Sequence, residues 1–197
     1  EMSGLSMEWV TLSHGAEAML QTIAKMFVAE GDEVIMPSVS YALYADISRI
    51  MGGKVVNVPM TADYRTDING IINAITADTK LLWLANPNNP TGTVFSKDEL
   101  DQLMTVLPER AWVVMDEAYV EFADSSSLPD TIALIKEGRN ILSTRTFSKM
   151  YGLAGARIGY VIANPELINT INTVVEPFNA NRVATAGAIA VLTKDEQ

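Results

Sequence analysis

The 197-residue sequence predicts a three-layer α/β/α fold with a mostly parallel sheet. Short apolar runs alternate with segments of helical periodicity along the whole chain, which is the pattern of parallel strands joined by covering helices. Hydrophobic residues make up 48% of the sequence and charged residues 19%, enough to bury a sizeable core. No internal repeat, low-complexity tract or linker interrupts the pattern, so we expect one domain over residues 1–197.

The elements follow in order. Apolar runs predict strands at residues 10–12, 33–36, 54–58, 81–85, 111–115, 141–142 and 157–163. Apolar residues at helical spacing predict a helix that follows Gly15 and ends before Gly31. Further helices are predicted at about residues 41–52, 68–75, 131–136, 165–174 and 183–192. Ser96 and Glu99 form a capping-box pattern that begins one more helix between the fourth and fifth strands.

Composition and charge exclude several functional classes. Fourteen Lys and Arg against 24 Asp and Glu give a net charge of -10, which disfavours nucleic acid and anionic membranes as partners. The absence of cysteine excludes disulfides and thiolate chemistry, and together with a single histidine it argues against a zinc site. We recognise no signal peptide and no apolar run that could span a bilayer, so we expect a soluble, cytoplasmic protein.

The segment from Arg145 to Arg157 carries the strongest chemical signal. Lys149 follows the hydroxyl residues Thr146 and Ser148, and Arg157 comes eight positions later. A lysine packed among apolar walls near another cation can lose its proton and attack a carbonyl. Hydroxyl groups and a guanidinium group suit a phosphate. The segment therefore predicts a lysine that binds a phosphorylated aldehyde covalently; an ordinary surface lysine in a loop is the alternative.

Polar residues at two other strand ends agree with this prediction. Asp116 directly follows the apolar strand at 111–115, where a carboxylate is costly unless it meets a cation. Tyr119 lies three residues further on, within reach of the same ligand. The strand at 81–85 leads into the rigid, proline-containing loop 86–92, which is suited to hold the Asn89 amide against a ligand.

Two weaker signals lie nearer the N-terminus. A helix that opens at Gly15 leaves the backbone N–H groups of Ala16 and Glu17 free to bind an anion. Tyr41 lies beyond a strand end and could stack on a flat ligand, although most such tyrosines only pack. We interpret His14 as a structural loop residue.

These motifs together resemble fold-type I pyridoxal-phosphate aminotransferases. The resemblance rests on the loop 86–92, on residues 116–119, and on Ser148 and Lys149 with Arg157, in this order and separation. It covers nearly the whole chain. Residues 116–122, 152–160 and 177–181 are most similar to those of histidinol-phosphate aminotransferases.

The resemblance implies a role for each candidate residue. Lys149 would be the catalytic residue, which binds the cofactor covalently and moves a proton from the substrate α-carbon. Asp116 would pair with the pyridinium nitrogen. The other cofactor contacts would be Asn89 and Tyr119 at the phenolic oxygen, Tyr41 on the ring face, and Ala16, Glu17, Thr146, Ser148 and Arg157 at the phosphate.

The resemblance also implies partners and a place in metabolism. The substrates would be histidinol phosphate as the amino donor and 2-oxoglutarate as the acceptor, in histidine biosynthesis. Members of this family form homodimers with active sites at the interface. We further expect residues 1–197 to be the large, cofactor-binding domain, without the N-terminal arm and the C-terminal small domain of the family.

The sequence departs from the subgroup at residues 14–17. Histidinol-phosphate aminotransferases usually carry Asn, Gly, Ser and Asp where this chain has His14, Gly15, Ala16 and Glu17. An aromatic amino-acid aminotransferase and a threonine-phosphate decarboxylase also stay open as alternatives, because they carry nearly the same motifs and differ in substrate-binding residues that this chain lacks. A third alternative is a pyridoxal-phosphate-binding module without catalytic turnover.

Overall fold

A single seven-stranded sheet forms the centre of the molecule in the computed structural model, which describes residues 4–194. The strand order is β1-β7-β6-β5-β4-β2-β3. Strand β7 runs antiparallel to both of its neighbours, and the other neighbouring strands pair in parallel. The strands are β1 (Val10–Ser13), β2 (Glu33–Pro37), β3 (Lys54–Val58), β4 (Thr79–Ala85), β5 (Trp112–Asp116), β6 (Ile141–Thr146) and β7 (Gly159–Ile162).

Six of the seven α-helices found in residues 4–194 cover the sheet, and they confirm the predicted three-layer α/β/α fold. Side chains of α1, α2 and α6 pack on one face of the sheet, around Trp83 and Leu142. Those of α3, α4 and α5 pack on the other face, around Leu82 and Val113. The helices are α1 (Gly15–Phe27), α2 (Leu43–Ile50), α3 (Ile68–Ala74), α4 (Lys97–Val106), α5 (Thr131–Lys136), α6 (Pro165–Val174) and α7 (Arg182–Lys194).

Local sequence signals account for the helix starts. The capping box at α4 is formed, because the Ser96 hydroxyl accepts from the Glu99 N–H while the Glu99 carboxylate accepts from the Ser96 N–H. Asp67, Asp130 and Asn164 each accept a backbone N–H at the first turn of α3, α5 and α6. Each cap satisfies a donor that the helix itself leaves free.

The strand predicted at 157–163 is shorter than expected. It begins at Gly159 because Arg157 adopts a left-handed backbone, with φ of 59°, directly after the short 3₁₀ helix at Ala154–Ala156. A strand needs extended φ and ψ values, so Arg157 stays in the loop. Its side chain therefore belongs to the loop that carries Lys149 rather than to the sheet.

The C-terminal helix α7 forms a separate small core with the lysine loop. Ala184 and Ala188 of α7 pack with Phe147 and Ile158, the residues on either side of that loop. The small alanine side chains allow the helix to approach the loop closely. Among residues 4–194, no helix is both long enough and apolar enough to cross a bilayer.

Candidate active site

One cavity of about 210 Å³ lies at the carboxyl ends of β4, β5 and β6. This is the edge at which ligands sit in open α/β sheets. All ten residues that the sequence nominated line it: Ala16, Glu17, Tyr41, Asn89, Asp116, Tyr119, Thr146, Ser148, Lys149 and Arg157. Residues from five separate segments of the chain therefore meet around a single space.

Asp116 is the buried acid of the cavity. It is the last residue of β5, and its side chain accepts two hydrogen bonds, from the Tyr44 hydroxyl at 2.6 Å and from the Ala118 N–H at 3.1 Å. Burial raises the pKa of Asp116, and these two hydrogen bonds partly oppose the rise. Among the described residues no Lys, Arg or His lies within ion-pair distance of it.

The N-terminus of α1 forms the anion-suited wall. His14 precedes the helix and makes no side-chain capping bond, so no cap occupies the first N–H groups. The Arg157 guanidinium lies against Gly15, where a Cβ atom would stand only 2.4 Å from its Nη2. Gly15 also has a φ of 80°, so glycine is needed there both for conformation and for space.

Gly159 brings this helix start close to the sheet. A Cβ atom at Gly159 would lie 2.5 Å from the backbone nitrogen of Ala16. Gly159 also pairs with Ser13 of β1 on one side and with Thr146 of β6 on the other. The missing side chain therefore lets the anion-suited N–H groups and the Thr146 hydroxyl share one corner of the cavity.

Lys149 lies on the loop after β6 and its side chain is exposed. The sequence predicts that Lys149 is packed among apolar residues, and its exposure shows that this expectation is wrong. Its Nζ is 5.2 Å from the centre of the Tyr119 ring, a cation–π distance. The nearby Thr146 hydroxyl accepts from the Ser148 N–H at 3.1 Å and so fixes the start of the loop.

The loop after β4 is held by its own asparagines. The Asn86 side chain bonds the backbone of Phe95 in both directions, at 3.1 Å each. The Asn88 amide donates to the Val39 carbonyl and to the Thr91 hydroxyl. Asn89, whose neighbours are fixed in this way, lines the cavity.

An ion pair joins Glu117, the residue directly after β5, to Arg145 of β6. Glu117 accepts from the Arg145 Nε at 2.8 Å, from Ser143 at 2.5 Å and from Thr131 at 2.7 Å. A carboxylate so fully partnered is tolerated in the interior. The pair fixes the end of the strand that carries Asp116 to the strand that leads to Lys149.

Sequence reasoning missed some of the residues around the cavity. Tyr44 is the most important, since it contacts Asp116 directly. It lies three positions after Tyr41, a helical spacing that could have placed it on the same face. The others are Leu20, Ala85, Pro87, Ala118 and Ala154, which contribute small or apolar surface.

The sequence matches one protein family over nearly its full length. The family model described as aminotransferase class I and II covers residues 4–197. Histidinol-phosphate aminotransferase 2 from Pasteurella multocida is 41% identical over 98% of this chain and 52% of its own length. Its counterpart from Ralstonia nicotianae is 42% identical over 98% of this chain and 51% of its own length.

Solved structures agree with the sequence matches. Histidinol-phosphate aminotransferase from Sinorhizobium meliloti, in complex with pyridoxal-5'-phosphate, superposes with a TM-score of 0.91 at 34% identity, over 98% of this chain and 52% of that one. L-threonine-O-3-phosphate decarboxylase from Porphyromonas gingivalis gives a TM-score of 0.84 at 28% identity, over 98% of this chain and 59% of that one. The chain spans about half the length of the curated relatives it matches. On this evidence the chain belongs to the aminotransferase class I and II family.

Proposed function

We propose that residues 1–197 form the pyridoxal-phosphate-binding domain of an aminotransferase that transfers the amino group of histidinol phosphate to 2-oxoglutarate. The observation that carries the proposal is the convergence of the ten nominated residues on one cavity. They combine an amine, a buried carboxylate and an anion-suited corner. The relatives named histidinol-phosphate aminotransferase support the choice of reaction.

The residues around the cavity fit this cofactor. Asp116 is a buried carboxylate that no cationic side chain among the described residues pairs with, and a protonated pyridine nitrogen would supply the missing charge. Arg157 has no carboxylate within ion-pair distance in residues 4–194. With the uncapped start of α1 it offers the positive environment that a phosphate dianion needs.

Each residue then has a defined task. When bound, pyridoxal phosphate supplies an electron sink that stabilises the negative charge left at the substrate α-carbon. Asp116 would hold a proton on the ring nitrogen, and Asn89 and Tyr119 would donate hydrogen bonds to the phenolic oxygen. Lys149 would provide the amine that attaches the cofactor, and once the substrate amine has displaced it, its free Nζ would take the proton from the substrate α-carbon.

The remaining contacts orient the cofactor. Tyr41 packs against the ring face, and its own position is fixed by an edge contact with Tyr44 at 5.6 Å between ring centres. Burial raises the pKa of Tyr41, with Glu17 adding to the rise, so its hydroxyl stays protonated at neutral pH. The hydroxyls of Thr146 and Ser148 and the N–H groups of Ala16 and Glu17 would bind the phosphate oxygens.

A substrate comparison tests the proposed reaction. The protein, with any flanking sequence that its gene encodes, is loaded with pyridoxal phosphate and mixed with histidinol phosphate, phenylalanine or threonine phosphate. We expect glutamate to form from 2-oxoglutarate fastest with histidinol phosphate. Faster glutamate formation with phenylalanine would indicate an aromatic aminotransferase, and carbon dioxide release from threonine phosphate would indicate a decarboxylase. Cofactor binding without turnover of any of the three would leave only a binding module.

We also propose that the active protein is a cytoplasmic homodimer, as the family resemblance implies. Large apolar side chains on the surface support self-association, among them Ile50, which is 74% exposed, and Phe178, which is 99% exposed. Sedimentation at several concentrations tests this. A single species with the mass of one chain at all concentrations would contradict it.

A further inference from the structure

Tyr44 is the most completely enclosed polar side chain next to the cavity. Its exposed fraction is 0%, and its ring stacks on Trp83 with 5.2 Å between centres and 4° between planes. Trp83 is fixed in turn, because its indole N–H donates to the Ser48 hydroxyl at 3.0 Å. Ser48 donates to the Tyr44 carbonyl at 2.7 Å. The tyrosine therefore has one available position.

Two residues with proposed cofactor contacts depend on that position. The Tyr44 hydroxyl donates to Asp116 Oδ2 at 2.6 Å, a short bond of the kind formed with an ionised acceptor. The Tyr44 ring meets the Tyr41 ring edge to face, at 87°. Tyr44 makes the shortest hydrogen bond to Asp116, and the Thr144 side chain also acts on this carboxylate and lowers its pKa.

We propose that Tyr44 is a positioning residue for the cofactor: its hydroxyl orients the Asp116 carboxylate and its ring orients Tyr41. The inference rests on the proposed function, because both residues act on the same bound group. Tyr44 itself acts through its two neighbours. Its hydroxyl remains a donor at neutral pH, since burial and the nearby Asp116 hold the pKa of Tyr44 well above its usual range.

Packing alone is the competing explanation for a buried tyrosine. Packing requires the ring, whereas the proposed role requires the hydroxyl as well. Tyr44→Phe separates the two, because it keeps the stack on Trp83 and the edge contact with Tyr41 and removes only the bond to Asp116. The variant leaves the other ionisable groups near Asp116 in place, namely Glu117, Tyr41, Tyr119 and Lys149.

The first measurement is made without cofactor. In protein labelled with ¹³C at the aspartate carboxyl carbons, the Asp116 resonance is identified by its loss in Asp116→Asn and is then followed against pH. Because the Tyr44 hydrogen bond lowers the pKa of Asp116, we expect Tyr44→Phe to raise that pKa. Ser48→Ala removes a different buried hydroxyl of the same cluster and should leave the Asp116 titration unchanged.

The second measurement is the dissociation constant of pyridoxal phosphate at neutral pH. We expect Tyr44→Phe to weaken binding roughly tenfold, and to have little effect when Asp116 is already Asn, because the hydroxyl acts through that carboxylate. An unchanged Asp116 titration in Tyr44→Phe, an equal shift in Ser48→Ala, or the same loss of affinity in both backgrounds would overturn the inference. If wild-type protein fails to bind the cofactor, the proposed function falls with it, while the titration still reports on the Tyr44 hydroxyl.

Discussion

At the scale of single residues, the structure buries a carboxylate, which is energetically unfavourable, at the position where the proposed chemistry needs it. Asp116 lies at the end of an apolar strand, and only 8% of its surface is exposed. Two hydrogen bonds reduce the cost without removing it, since burial still raises the pKa of Asp116 above its usual range. Such a site is unfavourable for the cofactor-free protein and becomes favourable when a cation binds.

This cost predicts a pH-dependent stability difference. Folding raises the pKa of Asp116, so the stability it contributes is full below its ordinary value of 3.8 and is lost as the pH rises through the folded value. The test is urea unfolding of the cofactor-free wild type and of Asp116→Asn at a series of pH values. Because only wild type loses this stability, the free energy of unfolding of Asp116→Asn minus that of wild type should increase as the pH rises above 3.8.

The exposed Asp63 provides the control for this titration. Its hydrogen bond with Thr61 lowers the pKa of Asp63, so Asp63→Asn should show a flat or slightly falling difference over the same pH range. A difference for Asp116→Asn that does not change with pH would show that its carboxyl titrates normally in the folded state.

At the scale of elements, the site depends on how closely α1 approaches the sheet. The helix start, the end of β6 and the start of β7 share one corner, and Gly159 makes this possible. The sequence could not reveal this constraint. A glycine inside a strand indicates a close approach, but it does not identify the backbone that approaches.

Gly159→Ala should therefore damage both folding and phosphate binding. The new methyl group would stand 2.5 Å from the Ala16 nitrogen, and backbone atoms must move to accommodate it. We expect a loss of about 1–3 kcal/mol in unfolding free energy and weaker binding of pyridoxal phosphate. Chemical denaturation and a cofactor titration measure the two effects.

Gly155→Ala is the matched control, because a Cβ atom there meets nothing within 4 Å. Its effect on stability should stay within about 0.5 kcal/mol. Equal behaviour of the two variants would show that the approach of α1 to β7 does not matter for the site.

The part of the site that lies at strand ends could be predicted from the sequence. Asp116, Thr146 and Lys149 follow or end apolar runs, and parallel strands bring such ends to one edge of a sheet. The contact between Tyr44 and Asp116 could not be predicted in this way. The two residues are 72 positions apart, and only the packing of α2 on the sheet brings them together. The exposure of Lys149 likewise depends on the path of its loop.

At the scale of the whole molecule, the cavity offers the contacts that the proposed cofactor needs but few that a substrate could use. Lys149 and Arg157 are its only cationic side chains among residues 4–194, and the proposal assigns both to the cofactor. An amino-acid substrate also presents a carboxylate, which needs a cation of its own to hold it in a reactive geometry.

The 197-residue chain by itself should therefore bind pyridoxal phosphate and react slowly with histidinol phosphate. We expect conversion of the bound cofactor to its amine form at least about 100-fold below the usual enzymatic range of roughly 1–10³ s⁻¹. Single-turnover absorbance measurements test this, with heat-denatured chain as the background. A rate within the usual range would show that this cavity already binds the substrate carboxylate.

The attachment of the cofactor to Lys149 is the central claim, and reductive labelling tests it most directly. The chain is incubated with pyridoxal phosphate, reduced with borohydride, digested and mapped by mass spectrometry. The account predicts one dominant phosphopyridoxyl label, on the peptide that contains Lys149, and its loss in Lys149→Ala with the fold intact by circular dichroism. Reproducible labelling of a different lysine, or equal labelling of Lys149→Ala, would contradict the account.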